Sequence, residues 1–198
     1  MNLNEKILKK IKELEFDAFT ISDIIDLGAY NNLRKTLERM VKSNQICRVL
    51  RGVYYIPEYI DILDMNSVPS VEGIAKAIAR NLNWDIYPSG NYALNILGLS
   101  TQVPFKYIYT SSGPYKTYEY GGIIIEFKHA SLKETNSFSY NTNLVIQALK
   151  ILGKENVTIN HLKKIKTKFS TEQIYEICNE AKSTTIWIYE KILKMKEL

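Results

Sequence analysis

The chain has 198 residues, of which 45% are hydrophobic and 24% charged, with a net charge of +5. This is ordinary globular composition with room for one large domain or two small ones, and it excludes extended disorder, collagen-like repeats and low-complexity scaffolds. Purely apolar runs such as Ile123-Ile124-Ile125 fall far short of the ~20 residues of a spanning helix, so an integral membrane protein is not expected. The spacing of Ile7, Leu8, Ile11 and Leu14 predicts a first helix from about Asn4 to Glu15, with Phe16 closing its core. Thr20-Ile21-Ser22-Asp23 has the form of a capping box and starts a short second helix that stops near Gly28. A third helix follows from about Asn31 to Asn44. Its apolar stripe is Leu33, Leu37, Met40 and Val41, and its opposite face carries Asn31, Lys35, Glu38, Arg39 and Lys42. Ile46 to Leu50 and Val53 to Ile56 are β-rich runs around Arg51-Gly52, a hairpin.

Three short helices and a two-stranded hairpin are the order of a winged helix-turn-helix, whose third helix enters the major groove. The charge agrees with that order. Between Gly28 and Pro57, Arg34, Lys35, Arg39, Lys42, Arg48 and Arg51 face only Glu38. The plainer alternative is an amphipathic third helix with a solvated polar face, but that does not require arginines on both arms of the hairpin. The candidate DNA contacts are therefore Asn31, Lys35, Arg39 and Lys42 toward the groove, Arg34 beside it, and Arg48 and Arg51 on the wing. Asn32 either caps the third helix or touches phosphate.

Asp61 to Pro69 lacks periodicity and reads as a linker, which gives a winged helix at 1–60, a linker at 61–69 and a second domain at 70–198. Ser70 caps a helix through about Asn81. A strand end and turn at Ile86 to Gly90 lead into a short helix from Asn91 to Leu97, stopped by Gly98. Phe105 to Thr110, Lys116 to Tyr120 and Ile123 to Lys128, separated by turn residues, read as an antiparallel meander. Helices follow at Leu144 to Leu152, Ile159 to Phe169, Thr171 to Ala181 behind a Ser170-x-x-Gln173 cap, and Thr184 to Lys196. The fold class is α+β, a winged helix followed by a mixed domain with a small antiparallel sheet and closing helices.

The residues offer little catalytic chemistry. His129 and His161 have no Cys, Asp or Glu at metal-ligand spacing, Gly121-Gly122 precedes a strand rather than a helix, and Ser131 gives only a loose Ser-x-x-Lys without partners. An enzyme, a cofactor and a metal are not expected; a nucleic-acid-modifying activity that depends on His129 is the rival of that class. The tyrosines between Tyr87 and Tyr120 suit a base-stacking platform, a protein interface or strand residues covering a core. The slight acidity of that segment favours the interface over the platform. Lys163, Lys164, Lys166 and Lys168 read first as a solvated face. Cys47 and Cys178 form no C-x-x-C pair, and Met1-Asn2-Leu3-Asn4-Glu5 lacks the apolar core of a signal peptide, so the expected location is the cytoplasm.

Arg48-Val49-Leu50-Arg51-Gly52-Val53-Tyr54-Tyr55-Ile56-Pro57, the stretch from Pro88-Ser89-Gly90 to Gln102-Val103-Pro104, and Tyr107-Ile108-Tyr109-Thr110 together resemble the AbiEi-type antitoxins of type IV toxin-antitoxin systems. The similarity spans nearly the whole chain. The resemblance implies a winged helix that binds double-stranded DNA at its own promoter and represses its operon, and a C-terminal domain that counters a nucleotidyltransferase-like toxin, directly or indirectly, in phage defence. The alternative from the residues alone is a protein-interaction module built on the winged helix and the Tyr-rich domain, without specific DNA binding.

Overall fold

In the computed structural model, which describes residues 2–130 and 138–198, the chain divides into two compact units, 1–84 and 85–198. Ser131 lies outside the described residues. The first unit opens with α1 (Leu3–Leu14), capped by Asn2: the Glu5 amide donates to Asn2 Oδ1 at 2.9 Å, and the Asn2 amide donates back to Glu5 Oε2 at 3.1 Å. Such a cap contributes roughly 1 kcal/mol. Ile7 and Ile11 form its buried stripe. The Thr20/Asp23 capping box forms as expected, but the helix that it starts, Ile21–Leu27, is a 3-10 helix rather than an α-helix. Ile21, Ile24 and Leu27 recur every three residues, so a three-residue turn stacks them on one side where an α-turn would fan them out.

Helix α2 (Tyr30–Lys42) buries Leu33, Thr36, Leu37 and Met40, while Val41 is only partly covered. Its cap position is Ala29, without a side-chain bond, so Asn32 does not cap it. Strands β1 (Cys47–Leu50) and β2 (Val53–Tyr55) form the antiparallel hairpin, turning at Gly52, whose φ of +82° is left-handed and suits glycine. Phe19 pairs with Tyr54 on the free edge of β2 through two 2.8 Å backbone bonds, an isolated bridge in the position of a third strand. The core gathers Ile7, Ile11, Phe19, Ile24, Leu33, Leu37, Met40 and Ile46. Each fully buried aliphatic side chain is worth about 1.5–3 kcal/mol. Phe16, expected in this core, instead lies half-buried beneath the Arg80 guanidinium, 3.7 Å from its ring centre.

The 61–69 segment is not a plain linker. Strands β3 (Tyr59–Ile60) and β4 (Met65–Asn66) pair across a 3-10 turn, closed by the Ser67 amide donating to the Glu58 carbonyl at 2.6 Å and by a Tyr59 hydroxyl bond to Asp64. Strands of two residues are too short to leave a periodicity in the sequence. Helix α3 (Val71–Leu82), capped by Ser70 as expected, packs on the first unit against the 3-10 helix and β2. The compact units therefore meet between Trp84 and Asp85, not within 61–69. Asn83 ends α3 in the left-handed region, and the Trp84 amide closes on the Ala79 carbonyl at 2.9 Å.

In the second unit, β5 (Ile86–Ser89), α4 (Gly90–Ile96), β6 (Lys106–Ser111), β7 (Lys116–Tyr120) and β8 (Ile123–His129) build a four-stranded sheet of order β5-β6-β8-β7. The expected meander is overturned: β6 pairs with β8 in parallel, and only β5/β6 and β7/β8 are antiparallel. The apolar run Ile123 to Phe127 takes an interior position, whereas β7, with Lys116, Thr117 and Glu119 exposed, takes the edge. Helices α5 (Tyr140–Leu152), α6 (Ile159–Lys166), α7 (Thr171–Glu180) and α8 (Ile186–Glu197) pack around a second core that includes Leu144, Val145, Leu149, Ile165, Ile177 and Ile192. Among the described residues no helix is long and apolar enough to cross a membrane.

Candidate nucleic-acid interface

The core fixes which side of α2 faces water. With Leu33, Leu37 and Met40 inward, a 100° step per residue puts Arg34, Glu38, Asn31, Lys42, Lys35, Arg39 and Asn32, in that angular order, within roughly 160° of the outer surface. All seven are exposed. Asn32, Lys35, Glu38, Arg39 and Lys42 line one shallow concavity that Leu3 of α1 closes on one side.

The charged groups are held with different firmness. Arg39 folds onto its own helix, donating from Nη2 to Thr36 Oγ1 at 3.0 Å and from Nε to the Lys35 carbonyl at 3.4 Å. A guanidinium has five N–H donors, so most of its fork stays available. Arg34 and Glu38 approach to 3.9 Å, both about half exposed, an i,i+4 pair worth a few tenths of a kcal/mol at most.

The wing adds two cations. Arg48 lies opposite Tyr54 in the β1/β2 register, and Arg51 is exposed at the hairpin turn. Burial of the Tyr54 ring raises its hydroxyl pKa above the ordinary value; Arg48 and Arg34 act against that rise, and Glu38 and Tyr30 reinforce it. The root of the wing and the Arg34/Glu38 edge of α2 are thus within electrostatic reach of one hydroxyl. One exposed residue of this surface was not among the sequence candidates. Tyr30, the first residue of α2, is 57% exposed. It stands three residues before Leu33, the spacing of a core residue, so the pattern conceals its exposure.

The remaining candidates are placed as follows. Tyr109 is 1% exposed and meets Tyr92 edge-on, with centroids 5.6 Å apart; Tyr92 likewise meets Tyr107 at 4.8 Å, and Tyr118 meets Phe127 at 5.9 Å. Core packing accounts for these rings, leaving Tyr115 as an exposed tyrosine of the segment. His129 Nδ1 lies 2.9 Å from the Gly113 carbonyl, and His161 belongs to the capping box of α6 with Thr158. Lys166 donates to the Lys196 carbonyl, and Lys196 sits over the Tyr175 ring. Among the described residues no group of three or more His, Cys, Asp or Glu is arranged to hold a metal.

Residues 6–177 match a family of unknown function, DUF6088. The chain belongs to the DUF6088 family. No curated protein matches it. The family match runs through both units, so in this DUF6088 chain the cationic α2 face and the mixed sheet fall within one family unit.

Proposed function

We propose that this protein is a DNA-binding transcriptional autorepressor and the antitoxin of a type IV, AbiE-like system, countering a nucleotidyltransferase-like toxin. The observation that supports the DNA-binding half is the exposed cationic face of α2 together with the Arg48/Arg51 wing, on a winged-helix frame. Asn31, Lys35, Arg39 and Lys42 contact base edges and adjoining phosphates in the major groove, Arg34 and Asn32 flank them, and Arg48 and Arg51 take phosphate or the neighbouring minor groove. The antitoxin half rests on the resemblance of the 48–57, 88–104 and 107–110 stretches to AbiEi-type proteins.

Two experiments test the two halves separately. A reporter driven by the DNA upstream of the gene is expected to be repressed by the wild type and released by a Lys35→Ala, Arg39→Ala double variant. Growth arrest by a neighbouring nucleotidyltransferase is expected to be relieved by co-expression of this chain; persistent arrest contradicts the antitoxin role.

A second reading has an observation of its own. The β3/β4 hairpin region exposes Tyr59, Met65 and Val68 by half or more and Ile62 by 96%, an apolar surface suited to a protein partner. A protein-interaction module without specific DNA binding becomes the better reading if the reporter is indifferent to the chain.

A further inference from the structure

Glu38 is the one acid among six cations between Gly28 and Pro57, and it stands on the surface that would meet a polyanion. A carboxylate there weakens every phosphate contact around it, because like charges repel and nothing in the DNA backbone can donate to it. The core does not require it either. Glu38 is exposed, and its pair with Arg34 at 3.9 Å is loose and solvated.

Its position is that of a reader. Asn31, Lys35, Glu38 and Lys42 follow one another at i, i+4, i+7 and i+11 on the outer arc of α2, with Lys42, Lys35 and Asn31 pointing most directly away from Leu33, Leu37 and Met40 and Glu38 beside them toward Arg34. Glu38 also shares the concavity lined by Asn32, Lys35, Arg39 and Lys42, so it is held among groups that neutralise phosphate on either side. In the major groove the donors open to an acceptor-only side chain are the exocyclic amines of cytosine and adenine, and the usual match for a carboxylate is cytosine N4.

We propose that Glu38 determines sequence specificity by accepting a hydrogen bond from cytosine N4, so that the operator carries a C·G pair opposite the middle of α2. The inference rests on the DNA-binding reading above. Glu38 disfavours non-specific duplex through repulsion and regains that loss at the one position that presents a donor.

The test is selection of bound duplexes from a randomised pool by the full chain as wild type, Glu38→Gln and Glu38→Ala, with sequencing and titration of the winners. The wild type is expected to fix cytosine at one position by about tenfold or more over other bases. Glu38→Gln, whose amide matches the adenine edge, is expected to move that preference to adenine; Glu38→Ala is expected to abolish it while tightening binding to random duplex several-fold. If both variants select the wild-type sequence unchanged and merely bind every duplex more tightly, Glu38 is not a reader, although the DNA-binding reading stands. A wild type that selects no sequence overturns both.

Discussion

The Arg80 guanidinium of α3 grips Asp23 of the 3-10 helix, donating from Nε to Oδ1 at 2.8 Å and from Nη2 to Oδ2 at 3.4 Å, and it also donates to the Ala18 carbonyl at 2.9 Å. The Asp23 side chain is 6% exposed and closes the Thr20 capping box with the same carboxylate, accepting from the Thr20 amide at 2.8 Å. One carboxylate therefore starts the second element of the helix-turn-helix and ties α3 to it, which is why α3 belongs to the first unit. Removing either partner strands the other. Asp23→Ala is expected to cost about 2–3 kcal/mol in urea unfolding, at the lower end for a broken buried pair because Arg80 remains 30% exposed. In a double-mutant cycle with Arg80→Ala, a coupling of about 1–3 kcal/mol is expected, and additivity would contradict the tie.

Gly73 of α3 has no room for a side chain. A Cβ there would stand 2.5 Å from Asp17 Cβ and 2.9 Å from Asp17 Oδ2, and Asp17 is held in place by the Ser70 hydroxyl at 2.6 Å. Replacing a helical glycine by alanine ordinarily gains up to ~1 kcal/mol, but here the clash reverses the sign. Gly73→Ala is expected to lower stability by about 1–3 kcal/mol in thermal melts. In an Asp17→Gly background, which removes the obstructing Cβ, the same change is expected to be neutral or stabilising.

Under the proposed DNA-binding reading the cations separate by role. Arg51 is exposed at the wing turn and is assigned to phosphate, so Arg51→Ala is expected to weaken all duplexes alike and to reduce the salt slope by about 1. Lys35 and Arg39 stand on the outer arc of α2 proposed to face the groove, so Lys35→Ala or Arg39→Ala is expected also to reduce discrimination between operator and scrambled duplex by about 1–3 kcal/mol. Competition titrations with the two duplexes distinguish these patterns. Unchanged affinity in the Lys35→Ala, Arg39→Ala double variant would remove α2 from the interface.

In the second unit, Glu180 anchors the start of α5. Burial pushes its pKa up, but hydrogen bonds from Thr142, from the Ser139 amide at 2.9 Å and from the Ser139 hydroxyl at 2.8 Å outweigh that and leave it below the ordinary value. A carboxyl whose folded-state pKa is depressed adds stability that is fully present above its unfolded pKa and disappears as pH falls through the folded one. Glu180→Gln is therefore expected to melt below the wild type at pH 7, and the gap is expected to close on acidification from about pH 5 downward. A gap that stays constant down to pH 3 would show that the Glu180 charge is not what matters.

Much of the first unit can be read directly from the chain, because its signals are local. The Thr20/Asp23 box, the Leu33/Leu37/Met40 stripe and the Arg51-Gly52 turn each lie within a few residues and agree with one another. The cationic face follows from the same stripe, since fixing the inner residues of a helix fixes the outer ones. What the sequence conceals depends on distant partners. Arg80 reaches Asp23 across 57 positions, and β8 pairs with the distant β6 as well as with its hairpin neighbour β7, so that its isoleucines take the interior place a meander would give to β7. Tyr30 illustrates the limit at close range: its spacing matches the core, yet the core ends before it.

The claim that α2 and the wing form a DNA-binding surface is tested most directly by fluorescence anisotropy, titrating the protein onto the duplex upstream of its own gene at two salt concentrations beside a scrambled duplex. With roughly five cations neutralising phosphates, log affinity is expected to fall with log salt at a slope of about −4 to −5, and the upstream duplex is expected to bind more tightly than the scrambled one. Binding to neither duplex, or binding indifferent to salt, would contradict the account and give first place to the protein-interaction module.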